Sequence, residues 1–287
     1  MIPGNFEYHR PSSVAEVVGL LSQHGDESQI LAGGHSLIPM MKLRLAQPAH
    51  LIDIQGLADL RGVRIEGGTV EIGALTSQQD IAADAALAEA VPILRETALT
   101  IADPQVRALG TIGGNVANGD PGNDMPAVML ALDADFVLEG PDGERTVKAR
   151  GFYEAAYFTG RQPAEMLTRI RFDAPPAGHG WAYAKMKRKI GDYATAAAAV
   201  QLTLEGGVCR SAAIALTNVH QTPILAEDAA RALEGTSVDA AAIEEAATKA
   251  MAVTEPVSDM RGPPEFRTHV AGVMVRRALA TARDRAS

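Results

Sequence analysis

The sequence predicts an α+β protein with two units, a large mixed α/β unit followed by a smaller unit of three strands and three helices. Its 287 residues exceed one average domain and suit two or three. In the first part, short strand patterns alternate with helix patterns and glycine-rich loops. A Pro/Gly-rich stretch at Asp173–Gly178 then precedes the remaining strands and helices, and we interpret it as a linker or long turn.

The first helix and the first two strands are predicted close to the N-terminus. Ser13-Val14-Ala15-Glu16 has the pattern of a capping box, and apolar residues then recur at helical spacing until Gly25. Residues 29–31 and 51–54 are short apolar runs typical of buried strands. The order strand, glycine loop, strand indicates an α/β arrangement.

Two β-hairpins are predicted next, because apolar and polar residues alternate on both sides of glycine-containing turns. The first hairpin pairs Gly62–Glu66 with Thr69–Gly73 about a Gly-Gly turn. The second pairs Asp135–Leu138 with Arg145–Lys148 about a Gly-Pro-Asp-Gly turn.

Helices are predicted between the two hairpins. Thr76-Ser77-Gln78-Gln79 has the pattern of a capping box and opens a helical stretch that continues, with interruptions, to about residue 102. Asp124 is a candidate N-cap for a helix over 125–131, with proline in its first turn, where the missing N–H costs nothing.

After the linker, apolar residues first recur at every second position, as in strands, and then at helical spacing. The predicted strands are 181–188, 195–205 and 208–217, and the predicted helices are 225–234, 239–252 and 264–284. Arginines are frequent in the C-terminal half of the last helix, where they complement the helix dipole, so we interpret them as structural.

The composition excludes several classes of protein. Apolar residues make up 47% and charged residues 21% of the chain, as in ordinary folded proteins. The net charge of −9 argues against a nucleic-acid partner, because such binding needs a basic surface. The start has no basic and apolar leader and no long apolar run occurs, so we expect a cytoplasmic protein without a transmembrane segment.

The cysteine and histidine content bounds the metal chemistry. Cys209 is the only cysteine, so this chain cannot build an intrachain disulfide, a Cys₄ iron–sulfur cluster or a multi-cysteine zinc site. The seven histidines are scattered along the sequence without the spacing of a local metal motif. We therefore predict no metal site in this chain and assign any metal chemistry to a partner.

Two glycine doublets, about eighty positions apart, are the candidate binding loops: Ala32-Gly33-Gly34-His35-Ser36 and Thr111-Ile112-Gly113-Gly114-Asn115. Glycine lets backbone N–H groups approach a ligand closely, and consecutive N–H groups form a nest for an anion such as phosphate. Two such loops suit a dinucleotide diphosphate. The doublets Gly67-Gly68 and Gly206-Gly207 instead lie between alternating strands, so a simple turn remains an alternative for any of them.

Three further residues are candidate ligand contacts. Asp124 closely follows the second glycine loop and could bind a ribose or simply cap its helix. Lys185, Lys187 and Lys189 alternate along a predicted strand and so share one face, which is either solvated or borders an anionic cofactor. Tyr193 could stack on a ring or pack ordinarily.

Several of these motifs together resemble the FAD-binding subunit of the molybdenum hydroxylases, the xanthine dehydrogenase family. They are AGGHS at 32–36, TIGGN at 111–115, Asp124-Met125-Pro126-Ala127, the segment 185–194 and Asp259-Met260-Arg261-Gly262. The resemblance covers essentially the whole chain. Within the family, Met1-Ile2-Pro3-Gly4 and 187–193 are most similar to the medium subunits of the aerobic carbon monoxide dehydrogenase group.

The resemblance implies a two-part FAD-binding domain of the vanillyl-alcohol-oxidase type over 1–177, with parts of about 1–60 and 61–177. A C-terminal domain over 178–287 would contain a three-stranded antiparallel sheet and a three-helix bundle. FAD would be bound non-covalently. His35 could donate a hydrogen bond to a phosphate, attach the flavin covalently or be an ordinary loop residue. The implied FAD-binding residues are the ten residues of the two loops with Asp124, Leu167, Lys185 and Tyr193.

The same resemblance implies the chain's partners. A large molybdenum–copper subunit would oxidise CO with water to CO₂, and a small subunit with two [2Fe–2S] clusters would pass the electrons to FAD here and then to a quinone. The assembly would be a dimer of heterotrimers in the cytoplasm, or peripheral on the inner face of the cytoplasmic membrane.

Three other functions remain open from the sequence. The chain could be the FAD subunit of another molybdenum hydroxylase that acts on an aldehyde, a purine or an N-heterocycle. It could be a self-sufficient flavin reductase, for which we find no acid or base candidate near the flavin. It could also be a non-catalytic nucleotide-binding or assembly protein in which both glycine loops are turns.

Overall fold

The computed structural model describes residues 2–287 and begins with a three-stranded parallel sheet of strand order β1-β3-β2. The elements of this part are β1 Glu7–His9, α1 Val14–His24, β2 Ser28–Leu31, α2 Leu37–Lys42 and β3 His50–Asp53. The prediction of the first helix is confirmed: the Ser13 hydroxyl accepts the N–H of Glu16, and Val17 and Leu21 are buried. Strand β1 was not predicted, because three residues are too few to show a period.

The next sheet has five antiparallel strands in the order β4-β5-β10-β6-β7, and a separate short hairpin pairs β8 with β9. Both predicted hairpins are confirmed. They are joined by β10, which the sequence analysis missed, although its polar and apolar residues alternate over 169–172. The strands are β4 Val63–Glu66, β5 Thr69–Gly73, β6 Asp135–Gly140, β7 Gly143–Lys148, β8 Tyr153–Ala155, β9 Phe158–Thr159 and β10 Met166–Asp173.

Six short helices lie between β5 and β6. They are α3 Gln78–Ala83, α4 Ala85–Ala90, α5 Pro92–Thr100, α6 Pro104–Leu109, α7 Ile112–Ala117 and α8 Met125–Ala131. The predicted capping box at 76–79 is wrong by one residue: Ser77 is the N-cap and Asp80 completes the box. Thr76 cannot cap α3 because its hydroxyl is hydrogen-bonded to the backbone of Gly62, at 2.9 Å from the N and 3.1 Å from the O.

The C-terminal part contains a four-stranded antiparallel sheet and three helices. The three predicted strands are present. The helix predicted over 225–234 has only five residues, because a two-residue fourth strand occupies 224–225 and a turn replaces the predicted last residues 232–234. The sequence analysis missed this strand because two residues are too few to show an alternating pattern. The elements are β11 Gly180–Met186, β12 Ala196–Glu205, β13 Val208–Thr217, β14 Ile224–Leu225, α9 Glu227–Arg231, α10 Ala240–Ala252 and α11 Pro264–Arg285.

Strand β12 is buried on both faces, which explains its run of four alanines. Ala197 and Ala199 belong to the core shared with the five-stranded sheet, whereas Ala196 and Ala198 belong to the core formed with α9 to α11. Small side chains allow close packing on each face, so the C-terminal sheet contacts both its own helices and the preceding part of the chain.

The predicted α+β architecture is confirmed by these elements. The domain boundary near residue 177 remains a prediction, because the main hydrophobic core extends from Val70 to Ala215 across it. Over residues 2–287, no helix combines the length and the apolar character needed to cross a membrane.

Candidate cofactor-binding site

A cavity of about 820 Å³ is lined by residues from the parallel sheet, the five-stranded sheet and the C-terminal sheet. Its volume is within the range of 300–1,000 Å³ that is usual for small-molecule sites. Thirteen of the fourteen predicted site residues line it. The exception is Ile112, whose side chain is fully buried in the hydrophobic core.

The first glycine loop connects β2 to α2 and presents free backbone donors at the cavity. Over the described residues, the amide N–H groups of 33–37 have no hydrogen-bond acceptor, and the first bond of α2 is Ile38 N–H to Gly34 O at 3.0 Å. Gly34 has φ +76°, which favours glycine. Consecutive free N–H groups of this kind bind anions. This loop is therefore not a hairpin turn.

Gly33 lacks a side chain for a reason that the sequence did not reveal. A Cβ there would be 2.2 Å from the carbonyl oxygen of Leu109 and 2.8 Å from the Cα of Gly110. The close approach is thus between the first loop and the residues just before the second loop, rather than between the first loop and a ligand. By contrast, a Cβ at Gly67 or Gly206, in the hairpin turns, would meet no atom within 4 Å.

The second glycine doublet lies in the first turn of α7, and most of its amides are already bonded. Four N–H groups donate within the protein: Ile112 to Thr76 O, Gly113 to Ala74 O, Gly114 to Thr111 Oγ1 and Asn115 to Thr111 O. The expectation of two similar amide nests is therefore not met by this structure. The donors that the second loop can still offer are the Thr111 N–H, the Thr111 hydroxyl and the Asn115 side-chain amide.

Asp124 and Lys185 form a buried ion pair on the cavity wall. The Lys185 amine is 2.7 Å from Asp124 Oδ2, and their side chains are 3% and 6% exposed. Tyr183 donates its hydroxyl to Asp124 Oδ1 at 2.6 Å, and burial together with this carboxylate raises the pKa of Tyr183 well above its usual value. The predicted side-chain cap at Asp124 is wrong, because both oxygens serve these partners.

Of the three alternating lysines, only Lys185 lies on the strand, because β11 ends at Met186. The predicted common face of the lysines is therefore wrong for Lys187 and Lys189. Lys187 donates to the carbonyl of Thr100 at 2.9 Å, and burial and the charge of Lys185 lower its pKa.

Tyr193 lies at the opening of the cavity and is 42% exposed. Its ring packs so closely on Gly122 that a Cβ there would be 2.8 Å from the ring. The Arg261 guanidinium lies 5.7 Å from the ring centroid, and Arg261 also pairs with Asp192 at 3.4 Å. Partial burial and the nearby charge of Asp120 raise the pKa of Tyr193, so the ring is neutral at physiological pH.

The sequence analysis missed two polar residues that line the same cavity. Gln78 is 1% exposed, and neither its amide nitrogen nor its amide oxygen has a hydrogen-bond partner in the described chain. The buried amide nitrogen of Asn118 also lacks a partner. Buried polar groups without partners are rare, so these cavity-lining atoms are available to a polar ligand. Neither position showed a sign of a ligand contact in the sequence, since the motif around Gln78 indicated only the start of a helix.

Comparisons with known proteins identify the family of this chain. Residues 4–175 match the family model of the FAD binding domain in molybdopterin dehydrogenase, and residues 181–282 match that of the CO dehydrogenase flavoprotein C-terminal domain. The carbon monoxide dehydrogenase medium chain of Afipia carboxidovorans is 57% identical over 100% of this chain and 99% of its own length.

A solved structure and a relative with another activity refine the comparison. The chain matches a crystal structure of Cu,Mo-CO dehydrogenase in its cyanide-inactivated form with a TM-score of 0.98, 57% identity and complete coverage of both chains. The glyceraldehyde dehydrogenase medium chain of Sulfolobus acidocaldarius is 35% identical over 97% of this chain and 99% of its own length. The chain therefore belongs to the FAD-binding subunits of the molybdopterin dehydrogenases, and it is of the carbon monoxide dehydrogenase medium-chain type.

Proposed function

We propose that this chain is the FAD-carrying electron-transfer subunit of a carbon monoxide dehydrogenase. The observation that carries the proposal is full-length similarity at 57% identity to a carbon monoxide dehydrogenase medium chain, together with a cavity lined by nearly all the residues expected to hold FAD. The CO-oxidising site is on a partner subunit.

The residues around the cavity fit a non-covalently bound dinucleotide. We assign the diphosphate to the free amides of 33–37, with the Thr111 hydroxyl and the Asn115 side chain as further donors. The unpartnered amides of Gln78 and Asn118 supply additional polar contacts. His35 is exposed and serves as a donor or a loop residue in this proposal.

The remaining wall suits the flavin end of the cofactor. Leu167 offers an apolar surface, Tyr193 offers an aromatic ring, and the Asp124–Lys185 pair offers buried charge. Bound FAD supplies a centre that exchanges electrons singly or in pairs, which suits a chain between one-electron clusters and a two-electron acceptor. The protein's part is to bind, orient and shield this group.

The proposed partner subunits rest on the similarity to carbon monoxide dehydrogenase medium chains. From this similarity we propose a small subunit with two [2Fe–2S] clusters and a large subunit with the molybdenum–copper site, in a dimer of heterotrimers. This chain is unsuited to hold such a cluster, because its single cysteine is buried and burial raises the pKa of the Cys209 thiol, which disfavours the thiolate that iron would need. We further propose a quinone as acceptor and a cytoplasmic complex that associates with the inner face of the membrane.

A second candidate is the FAD subunit of a molybdenum hydroxylase with another substrate. It is supported by the 35% identity to the glyceraldehyde dehydrogenase medium chain over nearly the full length of both chains. The higher identity to the carbon monoxide dehydrogenase chain favours the first candidate.

The deciding experiment uses the intact complex, purified from its host without air, and follows its visible spectrum. We expect a flavin band that bleaches when CO is added. A flavin band that CO leaves unchanged but dithionite bleaches would support the second candidate. Absence of any flavin band from a complex that retains this chain would refute the assignment of the cavity to FAD.

A further inference from the structure

Three histidines that are far apart in the sequence converge on the N-terminal sheet. His9 ends β1, His50 begins β3 and His24 ends α1. In the parallel pairing of β1 with β3, Glu7 lies opposite His50 and His9 lies opposite Ile52, so all four residues share one face of the sheet.

Helix α1 packs on this same face, and its last residue, His24, is the third histidine of the group. Val17 and Leu21 of α1 pack with Ile52 of β3 in one buried cluster. His24, three residues after Leu21, then stacks on His50 with ring centroids 3.6 Å apart and an interplanar angle of 23°. The convergence is thus built from the core packing of two strands and one helix.

The ligand atoms are close enough for one metal ion. One nitrogen from each of His9, His24 and His50 lies within 4.8 Å of the others. His9 Nε2 is 3.1 Å from His50 Nδ1, and Glu7 Oε2 is 3.4 Å from the same His50 nitrogen. With zinc–ligand distances of about 2.0–2.1 Å, ligands of a tetrahedral ion lie about 3.3–3.4 Å apart.

A hydrogen bond between His9 and His50 explains only part of this arrangement. It needs one N–H and one acceptor, and it involves neither His24 nor Glu7. An imidazole binds a metal ion in the plane of its ring, so ligation requires the His24 ring to turn out of its stack on His50 about the Cβ–Cγ bond. The C-terminus of α1 carries the negative end of the helix dipole, which favours a cation at His24. Imidazole ligands select zinc and its neighbours rather than magnesium or calcium.

We propose that His9, His24 and His50, with Glu7 as a fourth ligand, bind one zinc ion. The ion would join β1, α1 and β3, the three elements that carry these residues. Residues Gly25 and Asp26, directly after His24, line the cofactor cavity, so the ion would also fix one end of the cavity wall.

The test is a calorimetric titration of zinc chloride into the intact, chelator-treated complex and its variants. We expect the wild-type complex to bind one more zinc per copy of this chain than the complex with His24→Gln or His9→Gln. If a variant still binds zinc weakly, its zinc affinity should be at least about 10- to 100-fold lower than that of the wild type. Loss of a residue that only supports a metal ligand already lowers affinity by this factor. The control His220→Gln removes a half-exposed imidazole 3.9 Å from Glu255 and should leave zinc binding unchanged.

A melting experiment gives a second measurement. Zinc at about 100 times its dissociation constant should raise the melting temperature of this chain by about 5 °C in the wild type and in the control, and not in His24→Gln. Equal melting temperatures of His24→Gln and wild type without zinc would show that the variant folds. Failure of the wild type to bind zinc, or binding that survives both His9→Gln and His24→Gln, would overturn the proposal.

Discussion

Replacing Gly33 by alanine is expected to weaken FAD binding by separating the two glycine loops. The new Cβ would be 2.2 Å from the Leu109 carbonyl oxygen and 2.8 Å from the Gly110 Cα. Since carbon–oxygen contacts normally lie at about 3.3–3.6 Å, the backbones must separate by about 1 Å. The neighbours are main-chain atoms that cannot rotate away, so the first loop itself must move.

The expected magnitude follows from this overlap. Overpacking of this kind costs about 1–3 kcal/mol. FAD must bring the two loops back together to contact both of them, so this overpacking energy is subtracted from the binding free energy. FAD affinity then falls about 5- to 150-fold. The amides of 33–37 and the Thr111 hydroxyl would then no longer reach the same diphosphate.

The assay is the FAD content of the purified complex and the rate of FAD release, followed by flavin fluorescence. The matched control is Gly19→Ala, because Gly19 is in α1, has no atom within 4 Å of an added Cβ and gains helix propensity. Full FAD content and an unchanged release rate in Gly33→Ala would refute the reasoning that loop separation limits binding.

Three further predictions concern charged groups. Asp124→Asn should lower the free energy of unfolding by about 3–5 kcal/mol, because Lys185 is then buried without a counter-ion, and the double variant with Lys185→Met should recover part of the loss in thermal melts. Glu165→Gln should flatten the dependence of stability on pH below about 4.5. Glu165 is a buried carboxylate paired with Arg145, which lowers its pKa, so its contribution is present above the unfolded value of 4.5 and is lost as the pH falls through the folded pKa; an unchanged acid profile would contradict this. Arg261→Gln should speed FAD release about two- to fivefold, because a cation–π contact with Tyr193 is worth about 0.5–1 kcal/mol, whereas unchanged release kinetics would show that Arg261 does not position the ring.

Elements with local signals could be predicted from the sequence. Helix α1 has its capping serine and apolar spacing, and the hairpins β4–β5 and β6–β7 have alternating residues about glycine turns. Strand β10 shows the limit of this reasoning. It lies between partners that are about thirty and a hundred residues earlier in the chain, so its central position depends on non-local pairing.

The candidate site likewise contains residues that local motifs predicted and residues that only the packing of the fold brings together. The loops at 32–36 and 111–115 were visible as motifs, and thirteen of the fourteen named residues line one cavity. Gln78 was not predicted, because its position near the cavity results from the packing of α3 against Gly110 and Thr111. The histidine cluster was missed for the same reason, since only the parallel pairing of β1 with β3 brings its members together.

The two glycine loops have different physical roles despite their similar sequences. In the second loop, glycine allows α7 to pack on Ala74, where a Cβ at Gly113 would be 2.5 Å from the alanine side chain, and its amides are bonded within the protein. In the first loop, the amides of 33–37 have no partner among the described residues. Most N–H groups of the second loop are therefore already hydrogen-bonded within the fold, and this loop acts as a support. The N–H groups of the first loop are free to bind an anion. Because Gly33 holds these loops in direct contact, the donors of the first loop are positioned by the packing of the second, and anion binding depends on residues from both.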